Sequence, residues 1–265
     1  YLSIKDKVEF VNGDVRNMDD WKKAIQKQDA VIHLAAETGT GQSMYEVERY
    51  VNVNIRGTAI LLDLLANNEH QIQKVVVASS RAIYGEGKYF SDTLGVVFPK
   101  ERSEYQMSKA IFDHLCPHSN KNLKSLPTDE NSKIHPSSIY GITKHNQEQM
   151  ILLGCKSLDI PAVAFRYQNV YGPGQSLSNP YTGILSIFSN RFLNGNPINV
   201  FEDGLQSRDF VFIDDVVDAT ILGLESEIAN NNAYNVGSGI NTSVLKVANK
   251  LKELCLLYTS DAADE

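Results

Sequence analysis

The sequence predicts an α/β fold: a doubly wound parallel sheet with helices on both faces, followed by a smaller C-terminal lobe. Short β-branched runs alternate with longer helical patterns along the first two thirds of the chain. Those runs are compactly apolar rather than alternating, which is how strands buried on both faces of a parallel sheet read. After Tyr171 the pattern gives way to Gly172, Pro173, Gly174, Asn179 and Pro180, a loop-forming run that leaves the sheet and opens the second lobe. At 265 residues and 42% hydrophobic composition, the chain is long enough to bury one large domain with an appended lobe.

The elements follow in order. A first strand is expected over residues 8–11, and a helix over 19–28 that opens with acidic residues at the positive end of its dipole. Residues 30–34 form the next buried strand, and 44–67 a long helix carrying Ile60, Leu61, Leu64 and Leu65 at helical spacing. A strand over 75–78 precedes a polar stretch at about 86–136, which is far longer than an ordinary connection and reads as an insertion or lid. A helix over 137–156 and a strand over 162–166 complete the sheet domain, expected to span residues 1–170. The lobe at 171–254 is expected to hold substrate, with strands at 209–213 and 233–236 and a helix at 214–225, packed across the carboxyl ends of the sheet strands where ligands bind in open α/β folds. Residues 255–265, CLLYTSDAADE, read as translated adapter DNA and are expected to be foreign to the fold.

Composition excludes several classes of function. A net charge of −7, from 25 basic and 32 acidic side chains, opposes a nucleic-acid footprint, which needs clustered Lys and Arg. No apolar run approaches the roughly 20 residues of a membrane crossing, and no signal peptide is visible, so a cytoplasmic protein is expected. Cys116, Cys155 and Cys255 show neither a CxxC pair nor zinc spacing with His, and read as reduced thiols with no metal role.

The chemistry begins at Tyr140 and Lys144. Four residues apart on a helix, a phenol and an ammonium stand on one face. A tyrosine with a pKa near 10 accepts a proton at neutral pH only if its pKa falls by roughly 2 to 3 units, and the neighbouring lysine charge is expected to supply much of that. Upstream, VVVASSRAIYG at 75–85 ends a buried strand in two serines, so Ser80 can face the same crevice and hydrogen-bond the reacting oxygen, or merely close a strand-end turn. HLAA at 33–36 ends another strand in small side chains that let a dinucleotide approach the backbone, or form an ordinary tight exit.

Seven segments share one register: GDVRN at 13–17, HLAA, Asn54 before Gly57 and Thr58, SSRAIYG, YGITK at 140–144, FRYQNVYGPG at 165–174 and SRDFVFIDDVVDA at 207–219. In order and spacing they resemble the extended short-chain dehydrogenase/reductases, the NAD-dependent epimerase/dehydratase family, over about residues 8–254. GQSMYEVERYVNVN and QSLSNPYTGILSIF are further similar to the nucleoside-diphosphate-sugar 4-epimerase branch, dTDP-L-rhamnose and UDP-glucose 4-epimerases among them.

The resemblance implies a Rossmann-like domain that binds NAD and a lobe that binds a nucleoside-diphosphate sugar. It assigns Asp14 and Val15 to the adenine end of NAD, Leu34, Ala35 and Ala36 to its pyrophosphate and ribose, and Asn54 to their support. Ser80, Tyr140 and Lys144 become the catalytic set, with Tyr140 as acid/base and Lys144 also holding the nicotinamide ribose. Tyr167 and Gln168 fall beside the nicotinamide; Asn169, Thr182 and Arg208 approach the substrate's diphosphate, along with Ser80 at the sugar. The guanidinium of Arg208 suits phosphate, although a surface pairing with Asp209 or Asp203 is the alternative.

The activity implied is 4-epimerisation of a dTDP- or UDP-hexose, and relatives suggest a homodimer. A nucleotide-sugar 4,6-dehydratase is one alternative. It lacks support because Arg81 and Ala82 stand where dehydratases carry an Asp-Glu pair that protonates the departing hydroxyl. A non-catalytic binding homologue is the other. One family feature is missing: no GxxGxxG loop precedes Asp14, so the first strand, glycine loop and helix are expected to lie outside this sequence. On that expectation the 265-residue chain alone binds NAD weakly and is inactive.

Overall fold

A computed structural model describes residues 2–176 and 183–260. In chain order the helices are α1 (Met18–Ile25), α2 (Thr40–Ser43), α3 (Val47–Tyr50), α4 (Gly57–Asn67), α5 (Glu104–Ser108), α6 (Ile139–Ser157), α7 (Ile184–Leu193), α8 (Ile213–Glu225) and α9 (Val244–Ser260). The strands are β1 (Ala30–His33), β2 (Lys74–Ser80), β3 (Tyr89–Ser91), β4 (Gly95–Val97), β5 (Lys124–Ser125), β6 (Ala162–Tyr167), β7 (Asn169–Tyr171), β8 (Ser207–Phe212), β9 (Asn232–Val236) and β10 (Asn241–Ser243). The chain forms two compact units: residues 1–83, 138–166 and 220–234 make the first, and 84–137, 167–219 and 235–265 the second.

The first unit is built on a sheet of strand order β1-β2-β6-β9, with β1 and β2 parallel from Ala30 opposite Lys74 to His33 opposite Val77. Every residue of β2 is buried, as its unbroken apolar run requires of a strand covered on both faces. On one face Val31, Val75, Val77, Ala162 and Ala164 meet Trp21 and Ile25 of α1, Leu61, Leu64 and Leu65 of α4, and Ile151 and Cys155 of α6. Each leucine so buried contributes about 1.5–3 kcal/mol. Gly154 lets α6 lie close to α4, since a Cβ there would stand 2.9 Å from both methyls of Leu62. On the opposite face Phe165 packs against Gly223 of α8, where an added Cβ would meet the ring at 2.4 Å. That face is bare at β1: Ile32 is 42% exposed.

Helix starts follow side-chain caps. Asn17 accepts from the Asp19 amide at 2.8 Å to open α1, and Ser138 accepts from the Gly141 amide at 3.0 Å to open α6. The long helix expected over 44–67 is interrupted. It resumes at α3 and passes through a π-helical turn, Val51–Arg56, before α4. The expected strand at 8–11 does not form: Val8, Phe10 and Val11 are 45%, 66% and 38% exposed, and β1 pairs only with β2 among the described residues. A strand without a partner ladder leaves its amides to water and gains no pairing.

The second unit departs most from expectation. The 86–136 segment, expected as an insertion or lid, carries a small antiparallel sheet of order β4-β3-β5. Its β3–β4 hairpin turns at Gly95, whose φ of +72° a side-chain-bearing residue rarely adopts. A capping box of Ser103 and Gln106 opens α5. A further sheet, β10-β8-β7, pairs β8 antiparallel to β10 and parallel to β7. Phe188 of α7 packs on Val244 and Ala248 of α9. The compact units divide the chain otherwise than at residue 170: the 86–136 segment falls in the second, and 220–234 in the first, where β9 is a strand of the sheet. Helix α9 also runs past residue 254 to Ser260.

Candidate functional site

In the first unit, the carboxyl end of β2 and the first turns of α6 bring Ser80 and Tyr140 together. Ser80 is 8% exposed, its Oγ accepts from the Ala82 amide at 3.1 Å, and its hydroxyl acts on the Tyr140 phenol to favour the ionised form. Tyr140 is oriented from behind: its amide donates to Ser43 Oγ at 3.0 Å, and its ring meets Tyr50 edge-on at 6.4 Å between centroids. Tyr50 is itself fixed by donating to the Thr38 and Gly39 carbonyls at 2.6 and 3.0 Å.

The electrostatics of Tyr140 correct the expectation. Burial raises its pKa above the usual phenol value, opposed by the Ser80 hydroxyl and the Arg81 charge rather than by Lys144. The reason is where the lysine points. Lys144, 2% exposed, donates to Gln147 Oε1 at 2.7 Å, and burial lowers its pKa to about 7 against the favourable charge of Glu148. Gln147 is its one hydrogen-bond partner among the described residues. A buried ammonium has three N–H groups, so two remain for a ligand.

Behind Lys144 lies a buried polar network. Gln147 Nε2 donates to Thr58 Oγ1 at 3.0 Å, and the Thr58 hydroxyl donates to the Asn54 carbonyl at 2.7 Å. His33 Nε2 lies 2.9 Å from Thr58 Oγ1. Because the threonine proton is already given to Asn54, the imidazole is the donor, which assigns the proton to Nε2. Burial, then the Lys144 charge, lowers the His33 pKa to about 4. Asn54 sits in the π-helical turn and clamps the exit of β1: its Nδ2 donates to the Glu37 carbonyl at 3.1 Å and to Thr143 Oγ1 at 2.9 Å, and its Oδ1 accepts from the Glu37 amide at 2.7 Å. Single π turns recur at functional sites because the extra residue re-aims side chains. Beside the network, Glu148 and Arg166 form a buried ion pair at 2.6 Å, with Ser79 Oγ donating to the carboxylate at 2.6 Å.

The remaining predicted positions divide. Leu34 and Ala35 are exposed and Ala36 half-buried, leaving the backbone beyond β1 open. Asp14 does not present a free carboxylate: Arg16 grips both oxygens, which lowers the Asp14 pKa to about 2. Val15 turns toward α4, where a Cβ on Gly57 would stand 2.9 Å from its methyl. In the second unit, Tyr167 and Gln168 are half-buried, the latter donating its amide to the Val236 carbonyl at 2.9 Å. Asn169 and Arg208 line one cavity of about 240 Å³ together with Tyr171, Phe201, Gln206 and Phe210. Arg208 is not paired to Asp209 or Asp203 there; it donates to the Ser207 carbonyl and to Gln206 Oε1 at 2.8 and 3.1 Å. Thr182 lies outside the described residues. Sequence reasoning missed Gln147, Thr58 and the Glu148–Arg166 pair. The one signal for Gln147 was its position three residues after Lys144, on the same helical face.

A family model described as NAD dependent epimerase/dehydratase family matches residues 2–125 and 120–237. The chain is 37% identical over 250 residues to the dTDP-L-rhamnose 4-epimerase of Burkholderia thailandensis, covering 93% of this chain and 67% of that protein. It is 31% identical over 252 residues to a putative UDP-glucose 4-epimerase of Methanocaldococcus jannaschii, covering 94% of this chain and 69% of that protein. The crystal structure of a UDP-glucuronic acid 4-epimerase from Bacillus cereus, in complex with UDP-glucuronic acid and NAD, matches with a TM-score of 0.73 and 27% identity over 95% of this chain and 67% of that one. Spanning about two thirds of each of these relatives, and matched by the family model over most of its length, the chain belongs to the NAD dependent epimerase/dehydratase family.

Proposed function

We propose that the protein carrying this chain is an NAD-dependent nucleotide-sugar 4-epimerase acting on a dTDP- or UDP-hexose. The observation that carries the proposal is one constellation: half-buried Tyr140 under the influence of buried Ser80, with buried Lys144 one helical turn on and two of its N–H groups unspent. Those two donors and the open backbone at Ala35 and Ala36 fit the ribose and pyrophosphate of a dinucleotide, with Asn54 holding the β1 exit in shape. NAD supplies the hydride acceptor that is reduced and re-oxidised in each turnover.

The protein's own residues do the rest. Ser80 orients the reacting hydroxyl, and Tyr140 takes its proton and later returns it. Lys144 would hold the nicotinamide ribose through its two remaining N–H groups, and its charge, if turned toward the phenol, would offset the burial that raises the Tyr140 pKa. In the second unit, Arg208 and Asn169 are the groups we assign to the substrate's diphosphate, with Thr182 as a third; Tyr167 and Gln168 are assigned to the nicotinamide. Asp14 and Val15 are assigned to the adenine end, the Asp14 side chain being 44% exposed beside its Arg16 partner. Arg81, at the position where a dehydratase needs a carboxylic acid, supports epimerisation over elimination.

Exposed Met44, Tyr45, Val47, Val51, Ile142 and Leu153 on and beside α3 and α6 support a homodimer through these helices. Three free thiols support a reducing compartment such as the cytoplasm. No helix among the described residues is long and apolar enough to cross a membrane.

The test is to follow dTDP-L-rhamnose and UDP-glucose by NMR with the protein and NAD. Inversion at C4 that disappears in Tyr140→Phe is expected; a 4-keto-6-deoxy product from dTDP-glucose would instead identify a dehydratase.

A further inference from the structure

We propose that Gln147 is a positioning residue that aims the Lys144 ammonium, with its own amide locked in the required orientation by Thr58. The inference rests on the reading of Lys144 as part of the catalytic site and adds a residue to which that reading gives no role. Three observations carry it. Gln147 is fully buried, at 0% exposure, so its amide was taken out of water together with the charge it serves. Its Oε1 lies 2.7 Å from Lys144 Nζ, a charge-assisted hydrogen bond and the ammonium's one partner among the described residues. Its other end is fixed, because Nε2 donates to Thr58 Oγ1 at 3.0 Å.

The direction of each bond follows from the next. Thr58 gives its proton to the Asn54 carbonyl, and its oxygen is left as an acceptor for both His33 Nε2–H and Gln147 Nε2–H. An amide flipped end for end would set NH₂ against the ammonium, donor against donor, and although its oxygen could then accept from His33 Nε2–H, 3.3 Å away, the charged group would be left without its acceptor. The π-helical turn is what brings Asn54 and, four residues on, Thr58 to this place. A neutral amide also differs in kind from a carboxylate here. It holds the ammonium without adding a negative charge, so Lys144 stays free to turn its remaining N–H groups to a ligand.

The charged and titratable groups around Lys144 are His33 from β1, Tyr140 and Glu148 from its own helix, and Arg166 from β6 through its pair with Glu148. Of these only Glu148 favours the charged lysine. Removing the Gln147 acceptor therefore lowers the Lys144 titration midpoint, and replacing it with a carboxylate raises it.

The experiment labels lysine ¹³Cε in the protein carrying this chain, assigns Lys144 by its loss in Lys144→Met, and titrates its shift with pH in the parent, Gln147→Met and Gln147→Glu. The expected result is a midpoint at least about one pH unit lower in Gln147→Met and at least about one unit higher in Gln147→Glu. Amide spectra check that each variant is folded; should the methionine variant fail to fold, the glutamate variant decides alone. A midpoint that stays at the parent value overturns the proposal. Sugar conversion gives a separate readout, with the alkaline limb of the pH–rate profile moving in the same direction as the midpoint. Moved midpoints in a protein that converts no sugar would uphold the Gln147 role and sink the epimerase reading instead.

Discussion

Replacing Lys144 by methionine should make the protein more stable at acidic and neutral pH. A lysine pKa lowered from 10.5 to about 7 corresponds to about 5 kcal/mol of destabilisation once the group is charged in both states, at about 1.4 kcal/mol per pH unit. The sign follows from proton counting. Between about 7 and 10.5 the unfolded chain holds a proton that the folded chain has lost, so stability rises with pH across this window. The penalty is absent above 10.5 and complete below about 7. Methionine keeps the length and apolar stem of the side chain but strands Gln147 Oε1, which costs about 1–3 kcal/mol. The net gain expected at pH 6 is about 2–4 kcal/mol. At pH 9.5 only about 1.4 kcal/mol of the penalty remains, so the variant should be level with the parent or below it. Urea unfolding followed by circular dichroism at the two pH values measures both. A variant less stable than the parent at pH 6, or a gain of the same size at both pH values, would refute the reasoning.

Other perturbations probe the surrounding structure. Arg166→Met leaves the fully buried Glu148 carboxylate with Ser79 alone, and should cost about 3–5 kcal/mol in urea unfolding. The double variant Glu148→Gln/Arg166→Met should recover much of that loss; additive losses would speak against a coupled pair. His33, with its pKa lowered to about 4 from 6.5, contributes stability that is full above 6.5 and lost as pH falls through 4, and His33→Asn should flatten that acid limb by about 3 kcal/mol in unfolding scans between those values. Gly223→Ala should destabilise by about 1–3 kcal/mol, because its methyl would stand 2.4 Å from the Phe165 ring; an unchanged melting temperature would mean that the ring yields freely.

What the sequence made legible was local or periodic. The apolar runs of β1, β2 and β6 gave strands within a residue or two of their observed ends, and the YxxxK spacing put Tyr140 and Lys144 on one helix. The meeting of Ser80 with Tyr140 followed because both lie at the carboxyl end of the sheet, a general property of open α/β folds. Contacts that depend on tertiary placement were not legible. The i,i+3 spacing alone does not single out Gln147 as the acceptor for Lys144, because the choice among the lysine's neighbours is made by burial. Glu148 and Arg166, 18 residues apart on a helix and a strand, pair only once the strand is laid beneath the helix. The strand expected at 8–11 has the right residues, but a strand is a property of pairs, and apolar periodicity cannot supply the partner. Nor does composition reveal that the chain returns from the second unit to the first at residue 220 and adds β9 to its sheet.

The π-helical turn at Val51–Arg56 holds one residue more than the α turn it replaces, and that surplus keeps the segments on either side of it in register. Deleting one residue here and relaxing the turn to α geometry would therefore leave Leu61, Leu64 and Leu65 on the core side. What would be lost is the offset that points Asn54 at Glu37 and Thr143. Adding a further residue to the α-helical part would do the opposite, turning one side against the other by about 100°. A shortened turn should thus spare the apolar packing and undo the clamp on the β1 exit.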